Sequence, residues 1–310
     1  MTRRELVKAA LEHRPAPRAP YVIDLTAEAW EALQPVAEGK SQEDFLDNDV
    51  KDIGVPWWNW HELGPDWSGM EAPTSPARVL GVGSYDGLAD NLKALRDTCD
   101  KYLLVRLYGT HFEKAYFARG FENFLADMAG DPPFARKLLR RIIEKNLVMM
   151  ESFLALPEID GVLLGSDWGS QRGLLMSVET WDEMIRPGEQ ASYDLIHAYG
   201  KDVWIHSCGD IERLIPRLIE MGIEVLNPIQ PECMDLGHLK RQYGDELTFW
   251  GGISTQQTLP YGTPEEVKEE ARRVRNLLSE GGGYILSPSQ SIQGDVPVAN
   301  VLALLEVARG

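Results

Sequence analysis

Residues 201–209 read KDVWIHSCG, a short apolar run, Val203-Trp204-Ile205, that ends on a histidine, a serine, a cysteine and a glycine. Bulky apolar residues between a charged start and a glycine stop describe a strand buried on both sides, as in a parallel sheet covered by helices. Side chains alternate along a strand, so His206 and Cys208 share one face and Ser207 takes the other. An imidazole and a thiol side by side at a strand end make a ready pair of zinc ligands.

Working outward, the same kind of run recurs at 20–24, 52–57, 102–108, 161–167, 224–230, 247–252 and 284–288, so that with 203–208 there are eight. Helical patterns lie between them. The clearest spans 263–280, where Thr263 and Glu266 form a capping box, Pro264 takes the first helical position and Gly281-Gly282-Gly283 ends the helix. Another spans 132–156, with Leu, Ile and Met at helical spacing and basic residues outward. Eight strands alternating with helices predict an α/β fold, a single-domain (β/α)8 TIM barrel over residues 1–310. An open doubly wound sheet is the competing arrangement, but no glycine-rich phosphate loop follows an early strand. Residues 58–77, rich in Trp, Pro and Gly, are the least regular and follow the second strand, where a barrel builds active-site loops.

Composition bounds the partners. A net charge of -17 argues against a nucleic-acid partner, which needs clustered Lys and Arg. The scattered cysteines, Cys99, Cys208 and Cys233, do not make a disulfide framework and fit a reducing cytoplasm. The start, MTRRE, leads into an amphipathic helix rather than an apolar signal core, and no apolar run approaches the roughly 18–20 residues of a membrane span. A cytoplasmic protein without a membrane partner is expected.

In a barrel the carboxyl ends of the strands form the active-site face. Those ends carry Asp24, Trp57, Tyr108, Asp167 with Trp168, His206 with Cys208, Gln230, and Ser289 with Gln290, while strand interiors are Val, Leu and Ile. Asp167 follows Val162-Leu163-Leu164, so its carboxylate either faces the pocket or caps the next helix. Trp57, Trp58 and Trp60 pack the barrel mouth or form an aromatic wall. Arg106, inside Val105-Arg106-Leu107, needs a partner: Asp167, Asp24 or a substrate carboxylate.

These strand ends also carry a family likeness. An opening helix leading into 13–20 (HRPAPRAP), GSDWGSQRGLLM (165–176), HSCGDI (206–211), NPIQPECMD (227–235), GGISTQQT (251–258) and GGYILSPSQSIQGDVP (282–297) together resemble the uroporphyrinogen decarboxylase-like superfamily. The family fold is a (β/α)8 barrel. The arginine-rich segment that holds tetrapyrrole carboxylates in true uroporphyrinogen decarboxylases is absent; DLTAEAW (24–30) stands there. The likeness is closer to zinc-dependent methyltransferases that exchange methyl groups with corrinoid proteins.

The resemblance implies zinc held by His206, Cys208 and a third ligand from the last strand. Gln290 stands where coenzyme-loading relatives have Cys, and Glu232 and Cys233 are the alternative third ligands. Zinc prefers nitrogen, sulfur or carboxylate to an amide oxygen. His206, Cys208 and Asp167 then form the catalytic group, with Asp167 as proton donor or as partner to His206. Asp24, Trp57, Arg106, Tyr108, Trp168, Gln171 and Gln230 are the expected substrate contacts. The expected reaction moves a methyl group between a small methylated donor and a corrinoid carried by a separate protein. A ligand set poor in thiolate favours an ether or amine over a thiol. The other readings are a metal-independent decarboxylase, with Arg106 and Arg172 on a carboxylate, and a binding barrel without turnover.

Overall fold

A computed structural model describes residues 1–58 and 86–310; Trp60 and nearly all of the irregular 58–77 stretch fall outside them. Seven strands, β1 (Val50–Ile53), β2 (Tyr102–Tyr108), β3 (Gly161–Gly165), β4 (Asp202–His206), β5 (Val225–Ile229), β6 (Thr248–Ile253) and β7 (Tyr284–Pro288), form one parallel sheet in chain order. Helices Pro132–Leu154 and Pro264–Leu278 lie where the periodicity places them, the second with its Thr263–Glu266 capping box in place.

The eighth expected strand, 20–24, departs from the expectation. It joins β7 only through isolated parallel bridges, Tyr21 to Leu286, then Leu25 to Ile292 further along. On the other side it meets the residues before β1 largely through side chains. The Tyr21 N–H donates to Asp49 Oδ2 at 2.8 Å, the Ile23 N–H donates to Asn48 Oδ1 at 2.9 Å, and Asn48 Nδ2 donates back to the Ile23 carbonyl at 3.0 Å. The curled sheet is therefore barrel-like but not closed by a continuous ladder. The reason is local: Pro20 has no N–H to offer, and Asn48 and Asp49 capture the amides a ladder would use.

Alternation along the strands builds the interior. Val22, Val50, Tyr102, Leu104, Leu163, Trp204, Val225, Trp250 and Ile285 form one buried cluster, capped from below by Val7 of the first helix, Arg3–Leu11. The residues two positions further along each strand are Asp24, Asp52, Arg106, Gly165, His206, Asn227, Gly252 and Ser287, polar apart from the two glycines. The period of two thus turns an apolar floor into a polar upper layer within a single step.

The opposite end of the sheet is held by ion pairs. Asp160, almost wholly buried, takes Arg4 and Arg96, both at 2.7 Å; Asp202 takes Lys8 at 2.6 Å; Asp49 takes Arg18 at 2.7 Å. Glu224 accepts the Val203 N–H at 2.6 Å and pairs with His197 at 3.1 Å, which raises the imidazole pKa. A raised folded-state pKa adds stability below the unfolded value, near 6.5, and the contribution is lost as pH rises through the folded value. His197→Phe should therefore lower Tm more at pH 5.5 than at pH 8.5. An equal loss at both pH values, measured by thermal unfolding, would show that the pair adds no pH-dependent stability.

Candidate active site

Cys208 and Asp167 are drawn together by the turns that follow β4 and β3. The Cys208 N–H donates to Asp167 Oδ1 at 2.7 Å, and the Trp168 N–H donates to Ser207 Oγ at 2.9 Å. Gly209 makes the approach feasible. Its φ is +83°, and a Cβ there would lie 2.6 Å from the backbone of Gly169 and Ser170, in the short hairpin Gly169–Leu174. Gln230, named as a substrate contact, holds this turn instead: its Oε1 accepts the Gly209 N–H at 2.5 Å.

His206 is oriented by Asn227. The amide of Asn227 donates through Nδ2 to the Trp250 carbonyl at 3.0 Å, which leaves Oδ1 facing His206 Nδ1 at 2.6 Å. An acceptor at Nδ1 puts the proton there and leaves the Nε2 lone pair open. Burial lowers the His206 pKa, so the ring is neutral at pH 7. The edge of Tyr108 meets the His206 ring with centroids 5.3 Å apart, and Gly165 gives Tyr108 its room, since a Cβ there would sit 2.5 Å from the Tyr108 ring.

His206 Nε2 lies 3.4 Å from Cys208 Sγ and 3.8 Å from Asp167 Oδ1. Among the described residues, these three are the group able to converge on one metal ion, their ligand atoms all within 4.8 Å of one another. Ligand atoms around tetrahedral zinc are separated by ~3.6 Å, from bond lengths of about 2.0–2.3 Å. Nitrogen, thiolate and carboxylate are also the donor types zinc takes, so the group fits that ion. Burial, with Asp167 beside it, pushes the Cys208 thiol up to about 12, so a cation is what would make it a thiolate at neutral pH.

Gln290 does reach this centre, with Nε2 2.7 Å from Cys208 Sγ. Its amide then acts as a donor to sulfur, and Asp167 rather than Gln290 joins His206 and Cys208 in the group of candidate metal-binding atoms. The alternative ligands lie elsewhere: Glu232 accepts from Ser254 Oγ at 2.5 Å, and Cys233 Sγ faces the Gln230 carbonyl at 3.7 Å.

Of the expected substrate contacts, Asp24, Arg106 and Tyr108 line a narrow cleft together with His206, Asn227, Trp250 and Gln290. Arg106 is committed there: Nη1 meets Asp24 at 2.6 Å, Nε meets Asp52 at 2.7 Å, and the guanidinium lies 5.0 Å from the Trp250 ring centre. Trp57 is buried and donates to the Tyr108 carbonyl at 3.3 Å. Trp168 is buried against Trp181, and Gln171 sits exposed at the tip of the Gly169–Leu174 hairpin. Asn227 and Glu113 escaped sequence reasoning. Asn227 was visible as an inward strand position in NPIQ. Glu113, whose Oε1 accepts the Asp167 N–H at 3.3 Å and whose pKa is raised by burial and by Asp167, lies on helix His111–Arg119 and had no strand-end signal.

A methylated-thiol–coenzyme M methyltransferase of Methanosarcina mazei is 22% identical over 247 residues, covering 79% of this chain and 64% of its own length. A methylcobamide:CoM methyltransferase of Methanosarcina barkeri is 29% identical over 101 residues, 33% of this chain and 28% of its own length. The chain thus spans less than two thirds of the length of either relative. Among solved structures, a methyltransferase from Methanosarcina mazei superposes with a TM-score of 0.75 at 16% identity, over 100% of this chain and 98% of that one, and shares the fold. The uroporphyrinogen decarboxylase (URO-D) family model matches residues 82–310, and the chain belongs to that family.

Proposed function

We propose that this protein is a zinc-dependent methyltransferase, moving a methyl group between a small methylated ether or amine and a corrinoid carried by a separate protein. The observation that carries the reading is the convergence of His206 Nε2, Cys208 Sγ and Asp167 on one point beside the cleft. His206, Cys208 and Asp167 would hold the ion, which when bound supplies a Lewis-acidic open position for the heteroatom that loses its methyl group. Both methyltransferase relatives have names that include coenzyme M, a thiol. The single thiolate here, with a neutral imidazole and a carboxylate, is a harder donor set than a thiolate-rich one and favours oxygen or nitrogen over sulfur.

The chain's own residues divide the remaining work. Asn227 fixes the His206 tautomer, Gln230 and Gly209 hold the turn that presents Cys208, and Gln290 donates its amide to the sulfur. Tyr108 and Asp24 line the cleft beside the group, Asp24 with its carboxylate paired to Arg106. A metal-independent decarboxylase finds less support, because Arg106 already satisfies two carboxylates and Arg172 is exposed on the hairpin.

Protein purified without a metal-affinity tag and supplied with zinc should hold about one ion per chain, and Cys208→Ala should abolish binding. Absence of zinc from the wild type under those conditions would sink the mechanism. Asp167→Ala should weaken zinc by more than about tenfold, whereas Gln290→Ala should change it by less than about threefold; the reverse ranking would make Gln290 the third ligand. Loss of the amide in Asn227→Leu should weaken zinc by about 10–100-fold, the range for a partner that orients a ligating histidine. With free cob(I)alamin as acceptor, a panel of methyl ethers, methylamines and methyl thioethers should yield methylcobalamin from the first two classes. Turnover confined to thioethers would overturn the substrate assignment.

A further inference from the structure

A cavity of about 560 Å³ opens at the amino end of the sheet, between residues 13–20, the glycine turn after helix Pro264–Leu278 and the start of β7. It lies at the opposite end of the strands from His206 and Cys208. On a chain of net charge -17, Arg14, Arg18 and Arg275 line this cavity, with no acidic side chain among the described lining residues. Its wall is tightly built. His13, with φ +50°, packs against the turn so closely that a Cβ at Gly282 would lie 2.8 Å from its Cα, and one at Gly283 2.7 Å from its Nδ1.

The three guanidiniums differ in what already holds them. Arg18 gives Nη1 and Nη2 to the two oxygens of buried Asp49, both at 2.7 Å, so its charge is balanced inside the fold. Arg275, partly buried, donates through Nη1 to the Val307 carbonyl at 2.8 Å and meets no carboxylate among the described residues. Arg14 pairs with Glu12, but both side chains are more than half exposed, where solvent leaves such a pair little strength. Gly310 also lines the cavity, without an ion pair to either arginine. Two positive charges thus face the space with no buried charge to balance them. Drawing a guanidinium partly out of water without a counter-charge is unfavourable, and an anion in the cavity removes that cost.

We propose that this cavity binds a phosphate monoester, with the phosphoryl group between Arg14 and Arg275. A guanidinium offers paired N–H donors that match phosphate geometry, and two cations match a dianion. A phosphoryl group alone would leave most of the space empty. The wall that remains, Ala10, Pro15, Ala16 and Pro17, is small and apolar and suits the organic body of the ester. Two segments run from this cavity to the cleft: 20–24, which ends on Asp24, and β7, which ends two residues before Gln290. The ligand would clamp the start of both, remote from the chemistry. The site does not depend on the methyl-transfer reading.

The test titrates the zinc-loaded chain at constant ionic strength with glycerol 3-phosphate, inorganic phosphate, glycerol or succinate, read by calorimetry and by thermal unfolding. Saturable binding of glycerol 3-phosphate with a rise in Tm is expected, and none of glycerol. Arg275→Gln should weaken it by at least about tenfold and Arg14→Gln by at least about threefold. Cys208→Ala should keep the affinity, since a phosphoryl group bound at zinc would be lost with the metal. No saturation by either phosphate compound overturns the proposal, as does affinity unchanged in both arginine variants or lost in Cys208→Ala. Saturation by inorganic phosphate alone overturns the ester assignment, and tighter binding of succinate overturns the phosphoryl group. Should Arg275→Gln fail to fold, Arg14→Gln on the exposed rim decides the matter.

Discussion

The hydrogen bond from the Cys208 amide to the Asp167 carboxylate joins the turns after β3 and β4, and the rest of the site is arranged around it. It sets the spacing of sulfur and oxygen against the imidazole, and it commits one lone pair of Asp167 while leaving the carboxylate facing the same point as His206. Everything nearby serves that contact. Gly209 lets the two backbones approach, Gln230 secures the glycine amide, and Asn227 turns the imidazole so that its free lone pair points inward. A charged acceptor makes this a stronger bond than one between neutral amides.

Charge is divided between the two ends of the sheet. At the amino ends of the strands, Asp49, Asp160 and Asp202 each have a cationic partner from a helix or loop, and Glu224 has the His197 imidazole, which fastens the base. At the carboxyl ends, Asp24 and Asp52 share Arg106, and Asp167 has an amide instead of a cation. The acidic excess is therefore greatest where a metal ion or a cationic group has reason to come.

Much of this was legible in the residues. Strands β2 and β7 fall where their apolar runs do, because parallel strands covered on both sides are apolar over most of their length, with Arg106 and Ser287 the exceptions. His206 and Cys208 were readable from a period of two. Asp167 was readable as a strand-end carboxylate but not as a neighbour of the Cys208 turn, since its position depends on a contact 41 residues away in sequence. Gln171 and Trp168 misled in a physical sense: a hairpin carries one outward, and Trp181 buries the other. The 20–24 run looked like any other strand, and nothing in its own composition showed that Asn48 and Asp49 would take its amides.

That seam between residues 20–25 and β1 has an evolutionary meaning. A ladder fixes the distance between two strands at a value no side chain can change. Here the distance is spelled out by an asparagine and an aspartate, so lengthening or shortening either one would shift the wall that carries Asp24. The cleft thus has one adjustable side, set from positions that do not line it, and its width can change by mutation without moving His206, Cys208 or Asp167 on the other strands.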